Sequence, residues 1–289
     1  MPRLMRQSFK IANRLMKMKV LVSVDAEGLQ GVTFGTQVIP GERDYTVGKE
    51  AMILSANAVA EGLFKSGADE VTVVDAHDGN RNIDAKGLDR RARAILGWPK
   101  PLSMAQGVGE SDALVLLGYH SKAGTLDGVL SHTYSTYIHR AFINGFEAGE
   151  AYLTSAVAGE FNVPVKMFAG DDKAVMEAQE FLKDCEFVVL KKGLSRYSAD
   201  SLPMEGACDM LTSAAASAMG RKGTVVKVKG PIEVKVEFNN PAMADNCMIV
   251  NGAKRVDGYT VSATAENMLQ AYNTFRVFAS LSDFDHGKY

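Results

Sequence analysis

The chain has 289 residues, 46% of them hydrophobic and 23% charged, with 32 Lys and Arg against 34 Asp and Glu for a formal net charge of −2. That balance leaves no electrostatic footprint for nucleic acid, and no run of residues is long and apolar enough to span a bilayer, so neither a nucleic-acid nor a membrane partner is expected. Cys185, Cys208 and Cys247 are odd in number and lack CxxC spacing, which argues against a disulfide framework or a thiolate zinc site and fits a reducing, cytoplasmic setting.

Residues 1–17 carry Arg3, Arg6, Lys10, Arg14 and Lys17 among apolar residues, with neither the h-region nor the cleavage site of a signal peptide. They are expected to be an extension outside the fold. The first strand signal is Val20 to Val24, a short apolar run of the kind buried in a parallel sheet. It ends in Asp25, Ala26, Glu27 and Gly28. On an extended backbone Asp25 and Glu27 project to one side, at the carboxyl edge where open α/β sheets bind ligands. Two neighbouring carboxylates repel unless one keeps its proton or a cation sits between them, and a divalent metal answers that need.

A helical pattern follows from Tyr45 to Ser66, and Glu70 to Asp75 then repeats the opening grammar: a β-branched run followed by Asp75, His77, Asp78 and Gly79. Ala113 to Gly118 does so again and ends in Tyr119 and His120. If the three strands are neighbours, Asp25, Glu27, Asp75, His77, Asp78 and His120 converge. Imidazole and carboxylate together are ligands for zinc and its neighbours. No GxGxxG or GxxxxGK[ST] follows any of these strands, so a dinucleotide or P-loop site has no support.

Further on, His132 lies in a Ser131-His132-Thr133 loop, whereas His139 sits on the polar face of an alternating strand, so His132 is the better functional candidate. Asn144-Gly145 signals a hairpin. Glu150 opens an Ala-rich helix, where an acid is explained equally by the helix dipole or by a ligand role. Val163 to Ala169 is a fourth buried strand, with Asp171 and Asp172 capping the helix after it. Phe187 to Leu190 reads as a short strand, Lys191 to Tyr197 as a polar loop, and Glu205 to Met219 as a helix. From Thr224 the texture turns to alternation, in Val226 to Lys229 and Ile232 to Phe238, with a last helix from about Thr264 to Leu281. The expected fold is α/β, a three-layer sandwich around a mostly parallel sheet over residues 18–222, with a smaller C-terminal α+β subdomain over 223–289.

Taken together, Asp25-Ala-Glu27-Gly28, Asp75-Ala-His77, Gly118-Tyr-His120, Ser131-His132 and Gly149-Glu150 resemble the DppA-type zinc D-aminopeptidases, from about residue 18 to near the C-terminus. The resemblance implies two zinc ions per subunit: Asp25 shared, Glu27 and His120 completing one ion, His77 and Glu150 the other, and His132 as the catalytic residue. It also implies a decameric ring with the sites facing a central channel. The expected activity is removal of the N-terminal residue, a D-amino acid such as D-alanine, from short peptides by a zinc-activated water. A dinuclear phosphoesterase is the rival enzyme class, but where such enzymes usually carry Asp-x-His near the first strand this chain has Asp25-Ala-Glu27, and no Asn-His pair occurs. A metal-containing peptide-binding accessory of a transporter is the non-enzymatic alternative.

Overall fold

β1 (Lys19–Val24) and β4 (Ala113–Tyr119) are apolar along almost their whole length because both of their faces are covered. In β1, Leu21 packs into one core while Val20, Val22 and Val24 pack into the other; in β4, Leu114 and Leu116 separate in the same way from Ala113, Val115 and Leu117. These two strands pair in parallel at the centre of a sheet. The computed structural model describes residues 17–282, and the basic stretch 1–16 lies outside them.

The remaining strands of the sheet are β2 (Glu70–Asp75), β3 (Arg93–Ile95), β7 (Val165–Asp171), β8 (Glu186–Ser195) and β9 (Ser198–Ser201), giving the order β3-β2-β1-β4-β7-β8-β9. Every pairing is parallel except that of β9 with β8. On one face lie α1 (Tyr45–Lys65) and α4 (Met204–Met219), whose alanines meet the valines of β1 and β2. The other face carries α2 (Glu150–Glu160) and α3 (Asp172–Phe181). A second sheet is packed into this same core. It contains β5 (Ile138–Ile143), β6 (Phe146–Glu147), β10 (Ile232–Phe238), β11 (Lys254–Arg255) and β12 (Thr260–Ala265) in the antiparallel order β11-β12-β10-β5-β6, together with α5 (Pro241–Cys247) and α6 (Met268–Ser282). The architecture is thus the expected α/β sandwich with a smaller antiparallel sheet, and that sheet takes β5 and β6 from the middle of the chain.

Four local readings differ. Val226 to Lys229 forms no strand; the segment crosses α2 so closely that a Cβ on Gly159 would meet the Val226 carbonyl at 1.7 Å. Its alternation records one-sided burial, which a segment lying across a helix shares with a sheet. Thr260 to Ala265 is a strand with α6 starting only at Met268, because its small and β-branched residues fill the slot between β10 and β11. β8 runs on through the polar residues to Ser195 and turns into β9. The three-residue β3 was too short to leave a pattern. Among the described residues no helix is long and apolar enough to cross a membrane.

Candidate metal and catalytic site

Because β2, β1 and β4 are neighbours in register, with Val24 opposite both Asp75 and Leu117, the residues that follow them emerge side by side at the carboxyl edge. The turn after β1 lies hard against the end of β4. A Cβ on Gly28 would sit 2.0 Å from the Tyr119 carbonyl, and one on Gly118, at φ +75°, would sit 2.1 Å from that of Asp25. Glycine at both positions lets Asp25 N–H bond the Leu117 carbonyl at 2.8 Å and Gly28 N–H that of Gly118 at 2.7 Å. The two carboxylates are thereby aimed at the loop that carries His120.

Asp25, Glu27, His77, His120 and Glu150 are all buried, and they gather in one place. His77 Nδ1 lies 3.3 Å from Asp25 Oδ1 and 3.0 Å from Glu27 Oε2. His120 Nε2 lies 3.5 Å from Asp25 Oδ2 and 3.4 Å from Glu150 Oε1. Glu150, the first residue of α2, therefore points into the cluster, and the Tyr134 N–H holds its Oε1 there at 2.7 Å. His132 stacks on His120 with ring centroids 4.0 Å apart, and its Nε2 is 3.6 Å from Glu150 Oε1. Each imidazole is tied by its other nitrogen to a backbone carbonyl: His77 Nε2 to Val38 at 2.7 Å, His120 Nδ1 to Ser121 at 2.9 Å, His132 Nδ1 to Leu130 at 2.8 Å. Such a bond fixes the tautomer and presents the remaining lone pair to the site.

Not every strand-end residue joins them. Asp75 instead accepts the backbone N–H groups of Asn82 at 2.6 Å and Ile83 at 2.9 Å, so it shapes the loop that carries His77. Asp78 is exposed and left-handed, at φ +44°. His139 is exposed on β5, and Asp171 caps α3 by accepting from Lys173 N–H and Ala174 N–H.

A family model of D-aminopeptidases matches residues 18–277. The chain belongs to the D-aminopeptidase family. It is 34% identical over 269 residues to a D-aminopeptidase of Bacillus subtilis (strain 168), covering 92% of this chain and 98% of that one. It also superposes with a TM-score of 0.90 on the structure of a B. subtilis protein described as the Zn-dependent D-aminopeptidase DppA, a self-compartmentalizing protease, at 32% identity over 94% of this chain and 100% of that one.

In this member of the family the cluster is electrostatically tense. Burial, then Glu27, raises Asp25 to about 7. Burial would lower His77 and His120, but the carboxylates of Glu27 and Asp25 around the first, and of Glu150 and Asp25 around the second, hold both well above the usual range. Burial would likewise raise Glu27 and Glu150, and their histidine partners override it, keeping both below the usual range. His132 moves the other way, lowered by burial and by the neighbouring His120. Asp25 Oδ2, Glu27 Oε2 and His120 Nε2 are buried without a hydrogen-bond partner, although other site atoms lie 3.0–3.5 Å away. Close approach without hydrogen-bond alignment is the arrangement of ligands directed at a common centre, and three carboxylates with two imidazoles are a donor set that suits zinc.

Two supporting residues escape a reading of the sequence. Lys191, taken there as part of a polar loop, is buried on β8, and its ammonium donates to the carbonyls of Glu27, Leu29 and Val32. It pins the chain directly after Glu27, and burial lowers it to about 8. Its only sequence signal is a lysine following Phe187-Val-Val-Leu190. Glu177, on α3, accepts the Lys122 N–H at 2.8 Å and lies against Gly149, bracing the segments that carry His120 and Glu150. Nothing in its surroundings along the chain announces it.

Proposed function

We propose that the protein is a dinuclear zinc aminopeptidase that releases the N-terminal residue, a D-amino acid such as D-alanine, from short peptides. The observation that carries this reading is the convergence of five buried side chains, Asp25, Glu27, His77, His120 and Glu150, with three ligand atoms left unpartnered among them. Zinc dependence is a described property of the related B. subtilis enzyme, and the donor set here suits it.

Asp25 is the shared residue, since its two oxygens face different histidines. Asp25, Glu27 and His120 offer ligand atoms within 4.8 Å of one another, in keeping with the first ion's set; His77 and Glu150 remain for the second. Glu150 also groups with His120 and His132 within the same limit, so removing ligands one at a time is the way to apportion the outer four. When bound, the ions would supply a water of lowered pKa, polarise the scissile carbonyl and anchor a free amine. His132 is the proton carrier. With Nδ1 bonded to the Leu130 carbonyl and its pKa lowered by burial and by His120, it favours the neutral form with an Nε2 lone pair at the site, ready to take a proton and return it to the leaving amine. The proposed setting is a cytoplasmic ring of ten copies enclosing the sites, supported by the description of the related enzyme as self-compartmentalizing.

The decisive comparison is between D-alanyl peptides with a free amine and their N-acetylated forms. Cleavage is expected only for the free amines, because an acetamide nitrogen is no metal ligand. Equal rates on both would rule out an aminopeptidase.

A further inference from the structure

Beside His132 lies a cleft of about 190 Å³ whose walls carry Arg196, Thr136, His139 and Asn239. A second cleft of about 310 Å³ shares Ala123, Gly124 and His139 with it, so the two adjoin as one groove. Its charge is asymmetric. His132, on the wall of the first cleft, faces Glu150 and stacks on His120 and so joins that end to the acid cluster, and Arg196 is the cation of the same cleft.

Arg196 sits in the turn between β8 and β9 and is held through two of its three guanidinium nitrogens. Its Nη1 donates to the carbonyl of Ser131 and, at 3.2 Å, to the Ser131 hydroxyl, and its Nε to the Tyr197 hydroxyl at 3.3 Å. Among the described residues no carboxylate comes within 4.0 Å of it, and Nη2 has no acceptor. The cations farther along the groove are occupied: Arg140 faces Glu147 at 3.6 Å and Lys122 faces Glu177 at 3.9 Å. A guanidinium fixed through Nε and Nη1, with Nη2 left to donate beside a cleft, is preorganised to bind a carboxylate.

We propose that Arg196 binds the C-terminal carboxylate of the substrate peptide and so restricts the enzyme to dipeptides and tripeptides with a free carboxyl end. The inference rests on the aminopeptidase reading and adds a second anchor to it. A zwitterionic peptide then has one favourable orientation, amine toward the acids and carboxylate toward Arg196. The cleft is the size of roughly six waters, room for one or two small residues beyond the scissile bond.

The test compares D-alanylglycine with its C-terminal amide in the wild type, Arg196→Ala and Arg196→Lys. The wild type is expected to prefer the free acid in kcat/KM by about 10–100-fold, chiefly through KM, as a charge-assisted hydrogen bond supplies. Arg196→Ala is expected to erase the preference and Arg196→Lys to restore part of it. Equal losses on acid and amide would show that Arg196 only buttresses Ser131 beside His132, and a wild type indifferent to the amide would equally overturn the inference. Calorimetric titration of glycylglycine and its amide into the same proteins reads the subsite without turnover. Arg196-dependent discrimination in binding, with no cleavage of any peptide, would sink the aminopeptidase reading alone; cleavage without discrimination would sink the carboxylate subsite alone.

Discussion

His132 is the residue whose role separates most cleanly from its neighbours. It stacks on His120 yet is tied to the Leu130 carbonyl, and its Nε2 contacts Glu150 and not Asp25 or Glu27. If it carries the proton, His132→Ala keeps the bound metal and near-normal KM while kcat falls by about 10²-fold or more. Parallel loss of metal and activity would make it a ligand instead. Glu177 offers a test in the pH dependence of stability. Burial raises its carboxyl from an ordinary 4.5 to about 7. Between those values the folded chain holds a proton that the unfolded chain has released, so stability falls as pH rises through that window, and the whole penalty remains above pH 7. Glu177→Gln should therefore raise the unfolding free energy at pH 8, by on the order of 3 kcal/mol at most, and leave it unchanged near pH 4.5. A variant less stable than wild type at pH 8 would show that the charged form is the one the fold uses.

At the scale of elements, the site is the meeting of three strand ends with the start of α2. Asp25, Glu27, His77 and His120 were legible because each follows a buried run, and the period of a parallel strand fixes where its end emerges. Glu150 is ambiguous in the sequence because an acid at a helix start satisfies the dipole whether or not it has another role, and only the fold brings it to the Tyr134 N–H and beside two histidines. Lys191 was hidden for a different reason: its partners are carbonyls 159–164 residues earlier in the chain, a distance no local pattern reports. The expected helix from about Thr264 overlaps the end of the strand Thr260–Ala265, because alternation is weak in small residues. Lys191→Met leaves three carbonyls without their donor, so it should lower the unfolding free energy by about 3 kcal/mol and weaken metal binding through the loosened Glu27. An unchanged denaturant midpoint would mean that the turn after β1 is held by its glycine contacts alone.

For the whole molecule, a net charge of −2 provides no field to balance three buried carboxylates, so the balance must be local. The neighbouring carboxylates hold His77 and His120 well above their usual range, so these two imidazoles favour the charged form that offsets them, and metal ions bound at the proposed site would take over that role. The two cores on either side of the sheet hold the strand ends rigidly enough for one carboxylate, Asp25, to face both histidines. That shared position is the centre of the account. Metal analysis of the purified wild type and of Asp25→Ala tests it most directly: two zinc ions per chain are expected in the first and neither in the second, whereas Glu27→Ala or His77→Ala should each weaken mainly one. Full zinc occupancy in Asp25→Ala would contradict the shared-ligand site.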